Sequence, residues 1–195
     1  MKIAVVDYKG GNVQSVLFAL ERLGVEPTLT ADAEQIRRAD KVIFPGEGEA
    51  ASAMRELRAQ GLDKLLPTLT QPFLGVCLGM QLLGRHSEEG DTDLLGILPF
   101  DVVRFRADAD HKVPHMGWNT LQQLRSPLFA GLREQDYVYF VHSYYAPVGA
   151  YTIAEGAYPA PFSAAVQHQN FYAVQFHAEK SGPVGTRILE NFLAL

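Results

Sequence analysis

The sequence predicts an α/β fold in which helices flank a mostly parallel central sheet, followed by a C-terminal antiparallel extension. Two observations lead to this prediction. In the first half of the chain, short β-branched runs alternate with segments of helical apolar spacing, the pattern of a parallel sheet covered on both faces. After Gly96, strand candidates follow one another with only Gly and Pro turns between them. No repeat or linker divides the chain, so we expect a single domain spanning residues 1–195.

The first half opens with a strand from Lys2 to Val6, and Asn12 can cap a helix that follows it and ends at Gly24. The segment "EPTLT" predicts a second strand, after which Asp32 and Gln35 can form the cap of a second helix. The other elements expected here are a strand over 41–45, a helix over "ASAMRELRAQ", a strand over "PFLGV" and a helix that opens at Leu78.

The second half supplies the strands of the antiparallel extension. The strand candidates are "ILPFDVVRFRA", "YVYFVHSYY", "YTIAEG", "FSAAVQH" and "FYAVQFH". A last helix is expected from about Gly185 to Leu195.

Composition narrows the possible functions. A chain of 195 residues with 47% hydrophobic content can bury roughly 70% of the surface that it exposes when unfolded. The net charge of -5 and the absence of a Lys or Arg run exclude the basic surface that nucleic acids require. The N-terminal apolar run is too short for a signal peptide, and no apolar stretch of about 18 residues could span a membrane. We expect a cytoplasmic protein.

The single cysteine, Cys77, is the strongest candidate for chemistry. One cysteine excludes an intrachain disulfide framework and a multi-cysteine metal site. The run Gly75-Val76-Cys77-Leu78-Gly79 has the form of a nucleophile elbow, in which small neighbours leave room for a strained strand-to-helix turn. The turn would place the sulfur at a helix N-terminus, where backbone N–H groups favour the thiolate. The alternative is a buried cysteine between ordinary turn glycines, and these five residues alone do not decide.

A thiol nucleophile needs a base, and "QFHAEKSG" supplies one in His177 with Glu179 as its acceptor. In an extended segment, residues two apart point the same way, so Glu179 could bind one ring nitrogen while the other faces the thiol. The rival base is His142, but Ser143 and Tyr144 follow it rather than a carboxylate, which favours a substrate-pocket or structural role for His142.

The remaining histidines do not predict a metal site. His111 and His115 have i, i+4 spacing, but Pro114 disfavours a continuous helix there, and no Glu follows His111 as in a metalloprotease motif. We therefore expect no metal ion and no cofactor.

Three motifs together resemble a known family: "GVCLGMQLL", "FPGEGEA" and "QFHAEKSG" are similar to the class I glutamine amidotransferases, which have a flavodoxin-like fold. Three further segments, "VVDYKGGNVQSV", "KVPHMGWN" and "YFVHSYY", resemble more specifically the glutaminase subunits of imidazole glycerol phosphate synthase. The motifs occur in the same order and span the chain.

The resemblance implies an activity and a partner. The chain would hydrolyse glutamine to glutamate and ammonia, and a (β/α)8 barrel synthase subunit would receive the ammonia through an internal channel in a heterodimer. That synthase would form imidazole glycerol phosphate and an aminoimidazole carboxamide ribonucleotide, a step of histidine biosynthesis.

The resemblance also assigns residues. Cys77, His177 and Glu179 would form the catalytic triad, and the oxyanion would be bound by the backbone N–H of Leu78 and one from "PGEG", at Glu47. Glu47 departs from the family, which commonly has an apolar residue there, but a backbone donor does not depend on its side chain. Glutamine contacts are implied at Gly48, Gln81, His142, Ser143 and Tyr144, and the synthase-facing positions are Trp118, Tyr139 and Lys180.

Three alternatives remain. The chain could serve another synthase, such as anthranilate synthase, although "KVPHMGWN" and the short chain argue against this. It could be a stand-alone cysteine hydrolase of a related fold, although the His-x-Glu spacing argues against that. It could also be a catalytically silent binding module that retains only the fold.

Overall fold

A seven-stranded sheet forms the centre of the computed structural model, which describes residues 1–10 and 13–195. In chain order the strands are β1 (Ile3–Val6), β2 (Thr28–Thr30), β3 (Lys41–Phe44), β4 (Phe73–Val76), β5 (His86–Ser87), β6 (Thr92–Asp93), β7 (Asp101–Arg104), β8 (His115–Thr120), β9 (Tyr137–His142), β10 (Tyr144–Tyr145), β11 (Thr152–Ala157), β12 (Pro161–His168) and β13 (Phe171–Val174).

The central sheet confirms the predicted fold class. Its strand order is β11-β12-β13-β4-β3-β1-β2. The five strands from β13 to β2 pair in parallel, and β12 and β11 add to them in antiparallel fashion. The carboxyl ends of β3, β4 and β13 therefore meet at the same edge, where α/β proteins build their sites.

The helices cover both faces of this sheet. They are α1 (Val13–Arg22), α2 (Ala33–Arg38), α3 (Ala50–Ala59), α4 (Leu62–Leu65), α5 (Leu78–Gln81) and α6 (Gly182–Ala194), with 3-10 turns at Leu66–Thr68, Pro127–Phe129 and Ala178–Lys180. Within the described residues, no helix is both long enough and apolar enough to cross a bilayer.

Alternating side chains of β1 show how the layers pack. Ala4 and Val6 belong to a core with α2 and α3, whereas Ile3 and Val5 belong to a second core with α1 and α6. Two apolar cores on opposite faces give the helix–sheet–helix layers expected of a parallel sheet.

Three helix starts bear on the sequence predictions. The cap at Asp32 is confirmed, because its carboxylate accepts from the Gln35 N–H at 2.8 Å. The cap predicted at Asn12 lies outside the described residues. The last helix begins at Gly182 rather than near Gly185, because Pro183 in the first turn needs no hydrogen-bond acceptor for a backbone N–H.

The segment between β4 and β11 forms smaller sheets that differ from the prediction. The run "ILPFDVVRFRA" is a strand only over β7, and "YVYFVHSYY" is divided at Ser143 because β9 pairs with β8 whereas β10 pairs with β7. The sequence did not predict β8. Gly117, at φ 139°, interrupts the strand pattern, and the large apolar side chains beside it, Met116 and Trp118, are exposed instead of buried.

Candidate active site

Cys77 lies at a sharp turn between β4 and α5. Its φ of 54° and ψ of -110° place a non-glycine residue in a strained conformation. A Cβ atom on Gly79 would collide with the carbonyl oxygen of Phe44, and one on Gly75 would lie 2.8 Å from the oxygen of Gly79. Both glycines are therefore required sterically, and the chain has the elbow geometry that the sequence predicts.

His177 and Glu179 form a buried pair beside this turn. Nδ1 of His177 and Oε1 of Glu179 are 2.7 Å apart, and each side chain is 3% exposed. The extended geometry predicted for this segment is wrong. Residues 178–180 form a 3-10 turn, because the Lys180 N–H donates to the His177 carbonyl, and this turn folds the carboxylate back onto the ring.

The environment of His177 favours its charged form. Burial lowers the pKa of His177, but the hydrogen bonding and charge of Cys77 and Glu179 outweigh burial and raise it to about 10. Nε2 of His177 has no partner of hydrogen-bond geometry among the described residues, although Cys77 is close enough to change the pKa of the ring. This nitrogen is therefore available to exchange a proton with the thiol or with a ligand.

The oxyanion loop, residues 45–48, is oriented so that a backbone carbonyl faces the elbow. The Leu78 N–H, one of the two expected oxyanion donors, donates to the carbonyl of Gly46 at 3.3 Å. Because a trans peptide points its C=O and N–H in opposite directions, the Glu47 N–H is turned away from the elbow. It lies towards the Tyr8 hydroxyl, whose pKa is raised by burial and lowered in part by this N–H. Neither donor faces the cleft in this arrangement.

The residues predicted to contact glutamine surround a cleft of about 250 Å³. The cleft contains Cys77 and Leu78 of the elbow, together with Glu47, Gly48, Gln81, His142, Ser143 and Tyr144 from the predicted set. Sequence reasoning missed Glu89, Pro114 and Val141, which complete the lining. Of these, Glu89 brings a carboxylate, and burial raises its pKa despite the hydrogen bond that it accepts from the Ala50 N–H.

A buried polar network connects the cleft to the sulfur. Nε2 of Gln81 donates to the Tyr144 carbonyl at 2.9 Å and to Oε1 of Gln175 at 3.0 Å. Nε2 of Gln175 in turn lies 3.8 Å from Sγ of Cys77. Gln81 thus has only its carbonyl oxygen left for a ligand. Gln175 was also missed, and its signal was a polar residue inside the apolar run before His177.

The predicted synthase-facing residues form a patch adjoining the cleft. Trp118 is 56% exposed and contacts the ring of Tyr139 edge-on, with centroids 5.8 Å apart. Nζ of Lys180 pairs with Oε1 of Glu47 at 3.2 Å. These four residues and Val141 line a shallow depression, which we call the docking patch. Glu47 therefore belongs to both the cleft and the docking patch.

Another cleft, of about 430 Å³, lies at the end of the central sheet opposite to Cys77. It is lined by residues 1–4, which lead into β1, by Thr28 of β2 and by α2, at the amino ends of the parallel strands. Cys77 follows the carboxyl end of β4, which is the end where open α/β sheets place their ligands. We therefore take the cleft at Cys77 as the candidate active site.

The comparisons with known proteins agree with this fold and site. The family "Glutamine amidotransferase class-I" matches residues 4–195, so the chain belongs to the class I glutamine amidotransferases. A solved glutamine amidotransferase structure covers 98% of this chain and 97% of its own at a TM-score of 0.76 and 20% identity. PurLQS from Thermotoga maritima covers 99% of this chain and 97% of its own at a TM-score of 0.71 and 17% identity. Both show the shared fold.

Curated relatives narrow the class. The HisH subunit of imidazole glycerol phosphate synthase from Bacteroides thetaiotaomicron is 57% identical, with 100% of both chains covered. The HisH subunit from Idiomarina loihiensis is 49% identical over 100% of this chain and 98% of its own. Within the class, this full-length similarity places the chain in the HisH subunit family.

Proposed function

We propose that this protein is the glutaminase subunit of an imidazole glycerol phosphate synthase. It hydrolyses L-glutamine to glutamate and ammonia and supplies the ammonia to a (β/α)8 synthase subunit in a cytoplasmic heterodimer. The observation that carries the proposal is the strained Cys77 beside the His177–Glu179 pair, at the wall of a cleft of about 250 Å³. HisH relatives of the same length support the partner, and residues 1–195 act as one glutaminase domain.

The triad divides the chemistry into two steps. Cys77 transfers its proton to His177 and attacks the side-chain amide carbon of glutamine, and His177 then gives that proton to the departing ammonia. The remaining γ-glutamyl thioester is hydrolysed by a water molecule that His177 deprotonates, and the sulfur leaves as the thiol. Glu179 holds the ring by its Nδ1–H and stabilises the imidazolium, in agreement with the raised pKa of His177.

The lining of the cleft matches the charges of glutamine. The carboxylate of Glu89 suits the α-ammonium group, whereas that of Glu47 is paired with Lys180. Gln81 offers an acceptor for a substrate N–H, because both of its own N–H groups are directed to Tyr144 and Gln175. Ser143 adds a hydroxyl, which can donate to a substrate oxygen.

The oxyanion loop supplies a switch. With the Gly46 carbonyl on the Leu78 N–H, a tetrahedral oxyanion would meet an acceptor where it needs donors. Rotating the 46–47 peptide would free the Leu78 N–H and turn the Glu47 N–H towards the cleft. Such a rotation changes ψ of Gly46 and φ of Glu47, and Gly46 has no side chain to restrict it. Losing one donor costs about 100- to 1000-fold in turnover, so the unrotated peptide is sufficient to silence a complete triad.

The test is glutamate release from glutamine by the chain alone, with its synthase subunit, and with the synthase subunit and its nucleotide ligand. We expect low activity alone and a large rise in the last mixture. Cys77→Ala should abolish glutamine-dependent synthesis while leaving ammonia-dependent synthesis intact, because the thiol is needed only to release ammonia. Equal rates in all three mixtures would exclude the switch, and full glutaminase activity of Cys77→Ala would exclude the triad.

The same assay distinguishes the alternatives. A silent binding module would release no glutamate in any mixture. Activation by an anthranilate synthase subunit, with none by the imidazole glycerol phosphate synthase subunit, would assign the chain to the other pathway.

A further inference from the structure

Two buried histidines next to the cleft have no part in the triad chemistry. His115 on β8 and His142 on β9 are directly opposite each other in the hairpin and are 4% and 6% exposed. Nδ1 of His115 lies 3.0 Å from Nε2 of His142. Both rings pack among aromatic side chains, including Phe140 and Phe162. In these apolar surroundings the hydrogen bond between the two rings fixes their orientation, because a ring N–H that pointed elsewhere would lose its partner.

The hydrogen bonds fix which nitrogen of each ring carries the proton. The Tyr144 carbonyl can only accept, so Nδ1 of His142 donates to it at 2.8 Å. Burial lowers the pKa of His142 to about 3, so the ring is neutral at neutral pH and its Nε2 is an acceptor. Nδ1 of His115 therefore donates to His142. Burial also lowers the pKa of His115 to about 4, so its Nε2 is free to accept from Asn119, whose Nδ2 is 3.5 Å away.

The series of bonds from Asn119 ends on the lining of the cleft. The Tyr144 carbonyl accepts from His142 and also from Gln81, so one oxygen joins the histidine pair to the network at Cys77. His142, Ser143 and Tyr144 line the cleft, whereas His115 does not. The side chain of His115 is thus connected to the cleft lining by its hydrogen bond to His142.

We propose that His115 is a positioning residue for glutamine: by donating from Nδ1, it holds His142 in the tautomer that binds the Tyr144 carbonyl and so fixes the 142–144 wall of the cleft. This inference rests on the proposed glutaminase function. It predicts that the donor atom, and not the aromatic ring as such, is what the site requires at position 115.

The kinetic test compares two replacements in the complex with the synthase subunit. His115→Phe keeps a stacking ring but removes the donor, and we expect about a 10-fold rise in KM for glutamine with kcat changed less than about twofold. His115→Asn places an amide N–H near the position of Nδ1 and should restore KM to within about threefold of the unmodified complex. His168→Phe, at an exposed histidine on β12, is the matched control and should leave KM unchanged.

The outcomes separate the inference from the function. If the unmodified complex hydrolyses glutamine and His115→Phe has the same KM, the inference is wrong while the function stands. An Asn variant as impaired as the Phe variant would also overturn it, because an N–H donor at position 115 would then not restore glutamine binding. If the unmodified complex releases no glutamate, the proposed function itself fails.

A measurement on the unmodified protein does not depend on any variant folding. Nitrogen-15 correlation spectra of the histidine rings at neutral pH distinguish protonated from bare ring nitrogens. We expect the proton on Nδ1 in both His115 and His142. The opposite tautomer in either ring would contradict the proposal whatever the kinetics show.

Discussion

At the scale of single residues, the site combines a strained backbone with a stabilised charge. Cys77 is held at φ 54° by the packing of Gly75 and Gly79 against their neighbours. Strain of this kind costs about 1–3 kcal/mol and persists only where the surrounding fold imposes it. Burial disfavours the charged form of His177, and the neighbouring Cys77 and Glu179 offset this effect. Both residues depend on the fold for their reactive states.

The raised pKa of His177 predicts a pH dependence of stability. Because the pKa rises from 6.5 to about 10 on folding, the folded state binds this proton more tightly. The stabilisation is fully present below pH 6.5 and is lost as the pH rises through about 10. Glu179→Gln removes one source of the shift, so its free energy of unfolding should decline less than that of the unmodified protein between pH 7 and pH 10. Denaturant titrations at several pH values measure this.

His168→Gln provides the control, because this histidine is exposed and far from the triad in the sheet. Its stability profile should run parallel to that of the unmodified protein. If Glu179→Gln also gave a parallel profile, the carboxylate would not stabilise the charged ring.

At the scale of elements, the oxyanion loop joins two surfaces. Its Gly46 carbonyl blocks the elbow donor, while the Glu47 side chain extends to Lys180 on the docking patch. Lys180 is itself in the 3-10 turn that carries Glu179. A partner that contacts the docking patch therefore contacts Lys180. This residue forms an ion pair with Glu47 of the loop and directly follows Glu179 in the chain.

We predict that Glu47→Val raises the glutaminase rate of the isolated chain. The ion pair with Lys180 favours the resting loop, and its removal should raise the population of the rotated peptide. The paired side chains are 42% and 30% exposed, and pairs this accessible contribute about 0–1 kcal/mol. The rise should therefore be at most about fivefold, well below full activation. Glutamate release without the synthase subunit measures it.

Glu49→Gln, which changes a neighbouring carboxylate outside the ion pair, should leave the rate unchanged. A rate for Glu47→Val at or below that of the unmodified chain would show that the pair does not hold the resting loop.

At the scale of the whole molecule, the β8–β9 hairpin carries both the docking patch and a wall of the cleft. His115 faces His142 at one end of the pairing, and Trp118 faces Tyr139 three residue pairs further along. Met116 and Trp118 are 66% and 56% exposed, an unusual concentration of large apolar side chains on one strand. Binding the synthase there would cover apolar surface and contact the glutaminase site through a single element.

We predict that Trp118→Ala weakens binding to the synthase subunit by about 30-fold, because an exposed Trp at the centre of an interface commonly contributes about 2 kcal/mol. Lys180→Ala should reduce activation more than it reduces folding stability. Leu29→Ala, at an exposed apolar position on edge strand β2, is the control and should bind normally. Calorimetric titration measures the affinity, and unchanged binding by Trp118→Ala would place the interface elsewhere.

Local sequence patterns predicted much of the site. Gly75 and Gly79 predicted the elbow, because steric clearance is a local requirement that two glycines express directly. His177 and Glu179 were identified as a pair, but through the wrong backbone geometry. Gln175 and Glu89 escaped prediction, because their partners are distant in sequence: Gln175 meets Gln81, and Glu89 meets the Ala50 N–H.

The sequence by itself determined the class of fold and the position of the elbow at Cys77, since apolar periodicity and glycine spacing act over a few neighbouring residues. Only the tertiary structure decided the state of the oxyanion loop. The residues of the loop itself allow the 46–47 peptide to adopt either orientation. The orientation that it adopts depends on whether the Gly46 carbonyl accepts from the Leu78 N–H, and Leu78 lies in the elbow that follows a different strand, β4. The same holds for the proton positions in the His115–His142 pair, because only the folded hairpin brings those rings within 3.0 Å.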